Sequence, residues 1–163
     1  MEPVWLTEAR RHIGLREIKG AQHESRIVAF WKAIRMGGIR DDETPWCAAF
    51  VGGCLEAVGI VSARSGTARD YLNWGVPIEY PLVGCVAVFS RLGGGGHVGF
   101  VEGRDEHYRL QILSGNQGDE VSVAPFELSR LLGYRWPLIV PVPVGHMLPV
   151  IPSGGRPASA REA

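Results

Sequence analysis

Three short segments carry the side chains best suited to bond-breaking chemistry: TPWCAAF around Cys47, GGGGHVGFVEG around His97, and LSGNQGD around Asn116. Thr44 can cap a helix and Pro45 suits its first position, which places Cys47 third in that helix. Free backbone N–H groups and the positive helix end favour a thiolate there, and the thiolate is the attacking form of cysteine. On the helix start alone, a small apolar core residue is an equally good account of Cys47. Cys54, two turns further on, and Cys85 read as core. His97 opens a strand directly after a glycine run, where it can serve as base to a thiol carried on a neighbouring helix. The alternative is a surface histidine at a strand end. His12, His23, His107 and His146 lack a comparable setting. Asn116 follows the next strand, at the end that returns toward His97, and is the expected third member holding the imidazole in one tautomer. An ordinary turn residue is its alternative reading. Glu102 is less suited, because it lies five residues along the same strand as His97 and faces the other side.

The elements that must position these groups fall into two halves. Apolar residues at helical spacing predict helices over residues 4–13 and 24–36. A third, over 45–59, is apolar nearly all round and so central, and a short one covers 67–73. Beyond Pro81 come short β-branched and aromatic runs at 83–89, 97–103, 108–115 and 120–126, separated by turn signals, which predict an antiparallel meander. A last strand is expected at 134–140. Helices first and strands second make an α+β domain over residues 1–140, with a Pro-rich tail over 141–163.

Composition narrows the function classes. Lys plus Arg equals Asp plus Glu at 17 each, so no global charge draws the chain to nucleic acid or an anionic membrane. Hydrophobic residues at 45% and charged residues at 21% fit a soluble globular domain. Three cysteines without CxxC spacing are neither a disulfide framework nor a zinc ribbon, which favours synthesis in a reducing cytoplasm. The N-terminus has no secretory signal pattern. No HExxH or close His pair suggests a zinc amidase.

Taken in order, TPWCAAFV, LNWG, VFSR followed by the glycine run and HVGFV, a Gly-Asn-Gln segment and LLGYRWP resemble the NlpC-like and CHAP group of papain-like cysteine hydrolases. The match is nearest to a small single-domain subfamily common in phages and prophages, and it runs from Trp5 to Pro137. The resemblance implies a papain-like α+β fold with N-terminal helices, a central helix carrying the cysteine, and an antiparallel sheet of about five strands. It implies Cys47 as nucleophile, His97 as base and Asn116 as orienting group, with no cofactor and no metal for the chemistry. Trp46, Trp74 and Gln117 are expected to line a substrate groove, core packing being the alternative for the tryptophans. Asp41-Asp42-Glu43 lacks the ligand spacing of a calcium loop and reads as solvated charge before a helix. Where many relatives have Pro-Gly-Asp, this chain has Val83-Gly84-Cys85.

The implied substrate is peptidoglycan, cut as an endopeptidase or as an N-acetylmuramoyl-L-alanine amidase. A lone catalytic domain made in the cytoplasm and acting on the wall suits a phage lysin freed by a holin-type partner. It also suits a virion-associated enzyme, or an effector delivered by secretion machinery. A monomer is expected unless the chain is part of a virion. The rival readings are a catalytically silent wall-binding or virion component on the same fold, and an acyltransferase acting on a lipid or a protein amide.

Overall fold

The computed structural model describes residues 2–145 and 147–152. Helix α1 (Val4–Arg10) buries Trp5, Leu6 and Ala9, and α2 (Ser25–Ala33) buries Ile27, Phe30 and Trp31, as their apolar spacing requires. Both are shorter than the sequence pattern. Gly14 at φ +93° and Arg35 at φ +64° mark left-handed residues just beyond them.

Helix α3 (Cys47–Ala57) is the centre of the molecule, and all of Cys47 to Leu55 is buried. Phe50 meets Phe30 of α2 edge-on at 5.5 Å and Phe100 of the sheet at 6.4 Å, so α3 lies between the two layers. Gly53 permits that approach: a Cβ there would come within 2.6 Å of the Phe30 ring.

The sheet has six antiparallel strands rather than about five: β1 (Val76–Ile78), β2 (Val86–Ser90), β3 (Gly96–Arg104), β4 (Leu110–Ser114), β5 (Ser122–Phe126) and β6 (Leu131–Trp136). Their order is β1-β6-β2-β3-β4-β5. The expected meander is β2 to β5, and β6 crosses back to pair with β2. The unexpected strand, β1, is only three residues long and contains Pro77. A proline is tolerated there because β1 is an edge strand, paired only with β6. Among the described residues there are also two 3-10 segments, Ala68–Asn73 beside β2 and β3, and Leu128–Arg130 between β5 and β6.

Val83-Gly84-Cys85 form a closed turn. Gly84 adopts φ +83°, its carbonyl accepts the Trp5 indole N–H at 2.7 Å, and the Cys85 N–H closes on Leu82 O at 2.9 Å. Of the Pro-rich segment, residues 149–151 run beside the end of β3. Arg104 donates its N–H to Pro149 O at 3.0 Å and accepts from Ile151 N–H at 2.7 Å. His146 lies outside the described residues.

Candidate active site

Cys47 is the first residue of α3, not the third. The expected cap is absent, and Thr44 is tied back to Asp41: its hydroxyl donates to Asp41 Oδ2 at 3.1 Å, while Asp41 Oδ1 accepts the N–H of Thr44 at 2.7 Å and of Glu43 at 3.0 Å. Trp46 becomes the residue preceding the helix, with no side-chain cap. The next acid is not a solvated charge. Asp42 is fully buried and accepts the N–H groups of Ile18 and Glu24, both at 2.8 Å, and its other oxygen meets His23 Nδ1 at 3.0 Å. These partners replace its hydration and hold its carboxyl below the usual range against the opposing effect of burial. The same bond lifts the pKa of His23, so this histidine has a carboxylate setting that sequence reading did not assign to it.

The environments of the three cysteines separate one from the others. Burial raises all three thiols, Cys54 far above its ordinary value and Cys85 to about 12. At Cys47 burial is also the largest effect, but backbone N–H groups of Val98, Ala48 and Cys47 itself oppose it, as does the positive charge of Arg91. The groups that act on the Cys47 thiol thus come from the start of α3 and from the β3 backbone one residue past His97. With its pKa raised, the resting group at Cys47 is the thiol.

His97 is fully buried in β3, opposite Phe89 of β2. Its ring stacks on Phe126 at 5.0 Å with planes 7° apart. Nε2 lies 2.9 Å from Gln117 Oε1. The Gln117 amide is itself oriented, because its nitrogen donates to Ile112 O at 3.1 Å and to Ser122 O at 2.7 Å. Its oxygen must then accept, so His97 Nε2 carries the proton. In the neutral ring this leaves the lone pair on Nδ1, which is buried and has no hydrogen-bond partner among the described residues. Burial holds the His97 pKa down to about 3, Gln117 pulling it upward and Arg91 and Arg130 pushing it further down. Both groups thus rest neutral, Cys47 as thiol and His97 as imidazole, and the imidazole is in the tautomer with its lone pair on Nδ1.

The orienting position next to His97 is held by Gln117, not Asn116. Asn116 has φ +59°, which ends the extended alternation that would have set residue 116 opposite His97. The turn closes through Gln117 N–H to Glu120 O at 3.0 Å, and the next side chain folds back over the ring. Gln117, expected to meet substrate, is instead buried and spent on the histidine. The signal that could have found it is a glutamine directly after a left-handed Asn in a tight turn.

Trp46 also departs from expectation. It is fully buried, donates its indole N–H to Glu17 Oε1 at 2.6 Å, and packs over Gly115, where a Cβ would meet its ring at 2.3 Å. It holds the start of α3 against the end of β4 and does not line a groove. Trp74 donates to Val61 O at 2.9 Å and borders a cavity of about 290 Å³ together with Ala63, Asp70 and Asn73. Glu102 is engaged by the Arg10 guanidinium through both oxygens. A cavity of about 820 Å³ is lined by Trp5, Ile60, Leu82, Trp136 and Met147 among others. It sits at the C-terminal end of α3, about 16 Å of helix away from Cys47, and brings no acid–base pair together.

Comparison with known proteins bears on the same segment. The family model for the CHAP domain matches residues 39–116, which contain Cys47, His97 and Asn116. No curated protein matches the chain.

Proposed function

Because residues 39–116 match the CHAP domain, a module that typically works as an amidase or peptidase on bacterial cell wall, we propose that this protein hydrolyses an amide bond of peptidoglycan with Cys47 as nucleophile. What supports the reading is the setting of two buried groups on packed elements. Cys47 opens α3, the Val98 N–H next to His97 in β3 acts on its thiol, and Gln117 leaves His97 Nδ1 as the ring nitrogen able to take a proton.

In the proposed reaction His97 Nδ1 takes the thiol proton as sulfur attacks the amide carbonyl carbon. The N–H groups of Cys47 and Ala48, already directed at the sulfur, are the donors available to the developing oxyanion. The C–N bond breaks, the amine leaves with the proton from His97, and a thioester on Cys47 remains. Water then gives a proton to Nδ1 and adds to the thioester. The C–S bond breaks, releasing a carboxylic acid and restoring the thiol. Gln117 acts as a positioning residue, keeping the proton on Nε2 throughout.

Delivery to the wall by a holin-type release partner, phage tail or secretion machinery belongs to this proposal, as does action outside the cytoplasm. Digestion of purified peptidoglycan tests the bond class. The expected products carry new amino groups without new reducing sugar ends. Free muramoyl lactyl groups would identify the amidase, and new peptide termini the endopeptidase. Reducing ends alone, or no release from walls of several stem-peptide types, would overturn the reading.

A further inference from the structure

The segment from Gly14 to Glu24 joins the start of α3 to the turn between β4 and β5. Its first half pairs with that turn: Gly14 N–H donates to Val121 O at 2.9 Å, Val121 N–H to Leu15 O at 2.8 Å, and Glu17 N–H to Asp119 O at 3.0 Å. The same turn carries Gln117 and closes through the Gln117 N–H on Glu120 O. The second half is tied to the approach to α3, because the buried Asp42 carboxylate accepts the N–H groups of Ile18 and Glu24. Between these anchors stands the Glu17 side chain. Its Oε1 accepts the indole N–H of Trp46, the residue before Cys47, at 2.6 Å. Trp46 O in turn accepts Phe50 N–H at 2.8 Å across the first turn of α3, and the Trp46 ring packs over Gly115 at the end of β4. Glu17 is not held there for its charge. Burial and the nearby charges of Asp119, Asp42 and Glu43 push its carboxyl up, against the pull of the Trp46 bond. The contact uses an oxygen acceptor in a fixed place.

We propose that Glu17 is a positioning residue of the reaction centre: through Trp46 it sets the start of α3 and with it Cys47, and through its own backbone it sets the turn that holds Gln117 against His97. The role in catalysis rests on the hydrolase reading. The clasp between the two elements does not. A helix start needs such support, because its first N–H groups have no partner within the helix. Helix α3 has no side-chain cap, so the Trp46 indole held by Glu17 supplies the fixing that a cap would give. Misplacing a reacting group by about 1 Å can cost about 10²-fold in rate. Loss of the clasp therefore acts on kcat and leaves substrate binding nearly unchanged.

Substitutions with a matched control test the two separately. On purified muropeptides, Glu17→Ala should lower kcat about tenfold or more, with KM within about twofold. Glu17→Gln keeps an oxygen acceptor without the charge and should retain kcat within about threefold of wild type. Trp46→Phe keeps a ring over Gly115 and removes the donor. It should match Glu17→Ala, and the double variant should be no slower than either. Trp136→Phe is the control: it removes another indole bond, to Val140 O at 3.0 Å, at the end of β6. It should lower the melting temperature about as much and leave kcat within about twofold. Amide hydrogen exchange of the intact protein reads the clasp without substrate. Glu17→Ala should speed exchange at both Phe50 and Gln117 by about tenfold, and Trp136→Phe at neither. Unchanged exchange at those two amides in Glu17→Ala overturns the clasp. Faster exchange with kcat retained, or an equal loss of kcat in Trp136→Phe, overturns the positioning role. No turnover by wild type overturns the hydrolase reading and the role with it, and exchange alone then decides the clasp.

Discussion

Cys47→Ala and His97→Ala are each expected to slow release of peptidoglycan fragments by about 10³-fold or more, and the double variant to be no slower than either alone. Non-additivity follows because the two groups share one step: without the sulfur there is nothing for Nδ1 to deprotonate, and without Nδ1 the buried thiol stays protonated. Cys47 carries the first effect because burial dominates its pKa and only the neighbouring N–H groups and Arg91 oppose it. The pH profile distinguishes this account from a resting ion pair. With the His97 pKa held down to about 3, the base is deprotonated through the mildly acidic range, so kcat should change less than about threefold between roughly pH 7 and pH 5. The same depression has a stability consequence. The neutral ring stabilises the fold above its ordinary value of 6.5, and that contribution is lost as pH falls toward 3. Wild type should therefore lose more stability over that interval than His97→Ala. Thermal unfolding followed by circular dichroism checks this and establishes that both variants are folded.

Gln117→Leu is expected to lower kcat by about 10²-fold, while Asn116→Gly stays within about threefold of wild type. Leucine keeps the volume but removes the acceptor that fixes the proton on His97 Nε2, so the ring can carry its proton on Nδ1 instead. It also strips two acceptors, Ile112 O and Ser122 O, of their amide donor. Buried groups left unpartnered cost about 1–3 kcal/mol each, which predicts a melting temperature lower by several degrees. Glycine at 116 preserves the left-handed backbone at φ +59° and removes only the side chain, so it isolates the part Asn116 plays in catalysis. A large loss in Asn116→Gly with little in Gln117→Leu would reverse the assignment of the orienting residue. Rates on purified peptidoglycan, with melting curves beside them, decide it.

Much of this site was readable in the chain because it depends on local patterns. The glycine run before His97 and the apolar helix carrying Cys47 are visible as spacing, and in the structure α3, which Cys47 opens, packs on β3, which carries His97. What was not readable depends on competition for hydrogen bonds. Thr44 has the makings of a cap, but Asp41, three residues earlier, claims its hydroxyl and its N–H, and the helix starts two residues later than expected. Residue 116 was favoured on strand alternation, which a single left-handed residue cancels. Trp46 drew attention as the neighbour of the nucleophile, yet Gly115, far along the chain, opens the space that buries it. Strand β1 is too short, and too compromised by Pro77, to give a periodic signal.

The covalent step on Cys47 can be observed directly. Wild-type protein is mixed with purified muropeptides, quenched in acid during turnover, and measured by intact mass and by peptide mapping. The account predicts an acyl adduct on the Cys47 peptide, equal in mass to the carboxyl-side product less water, appearing before steady state and absent from Cys47→Ala. Products that accumulate with no adduct on Cys47, at a rate that Cys47→Ala retains, would contradict it.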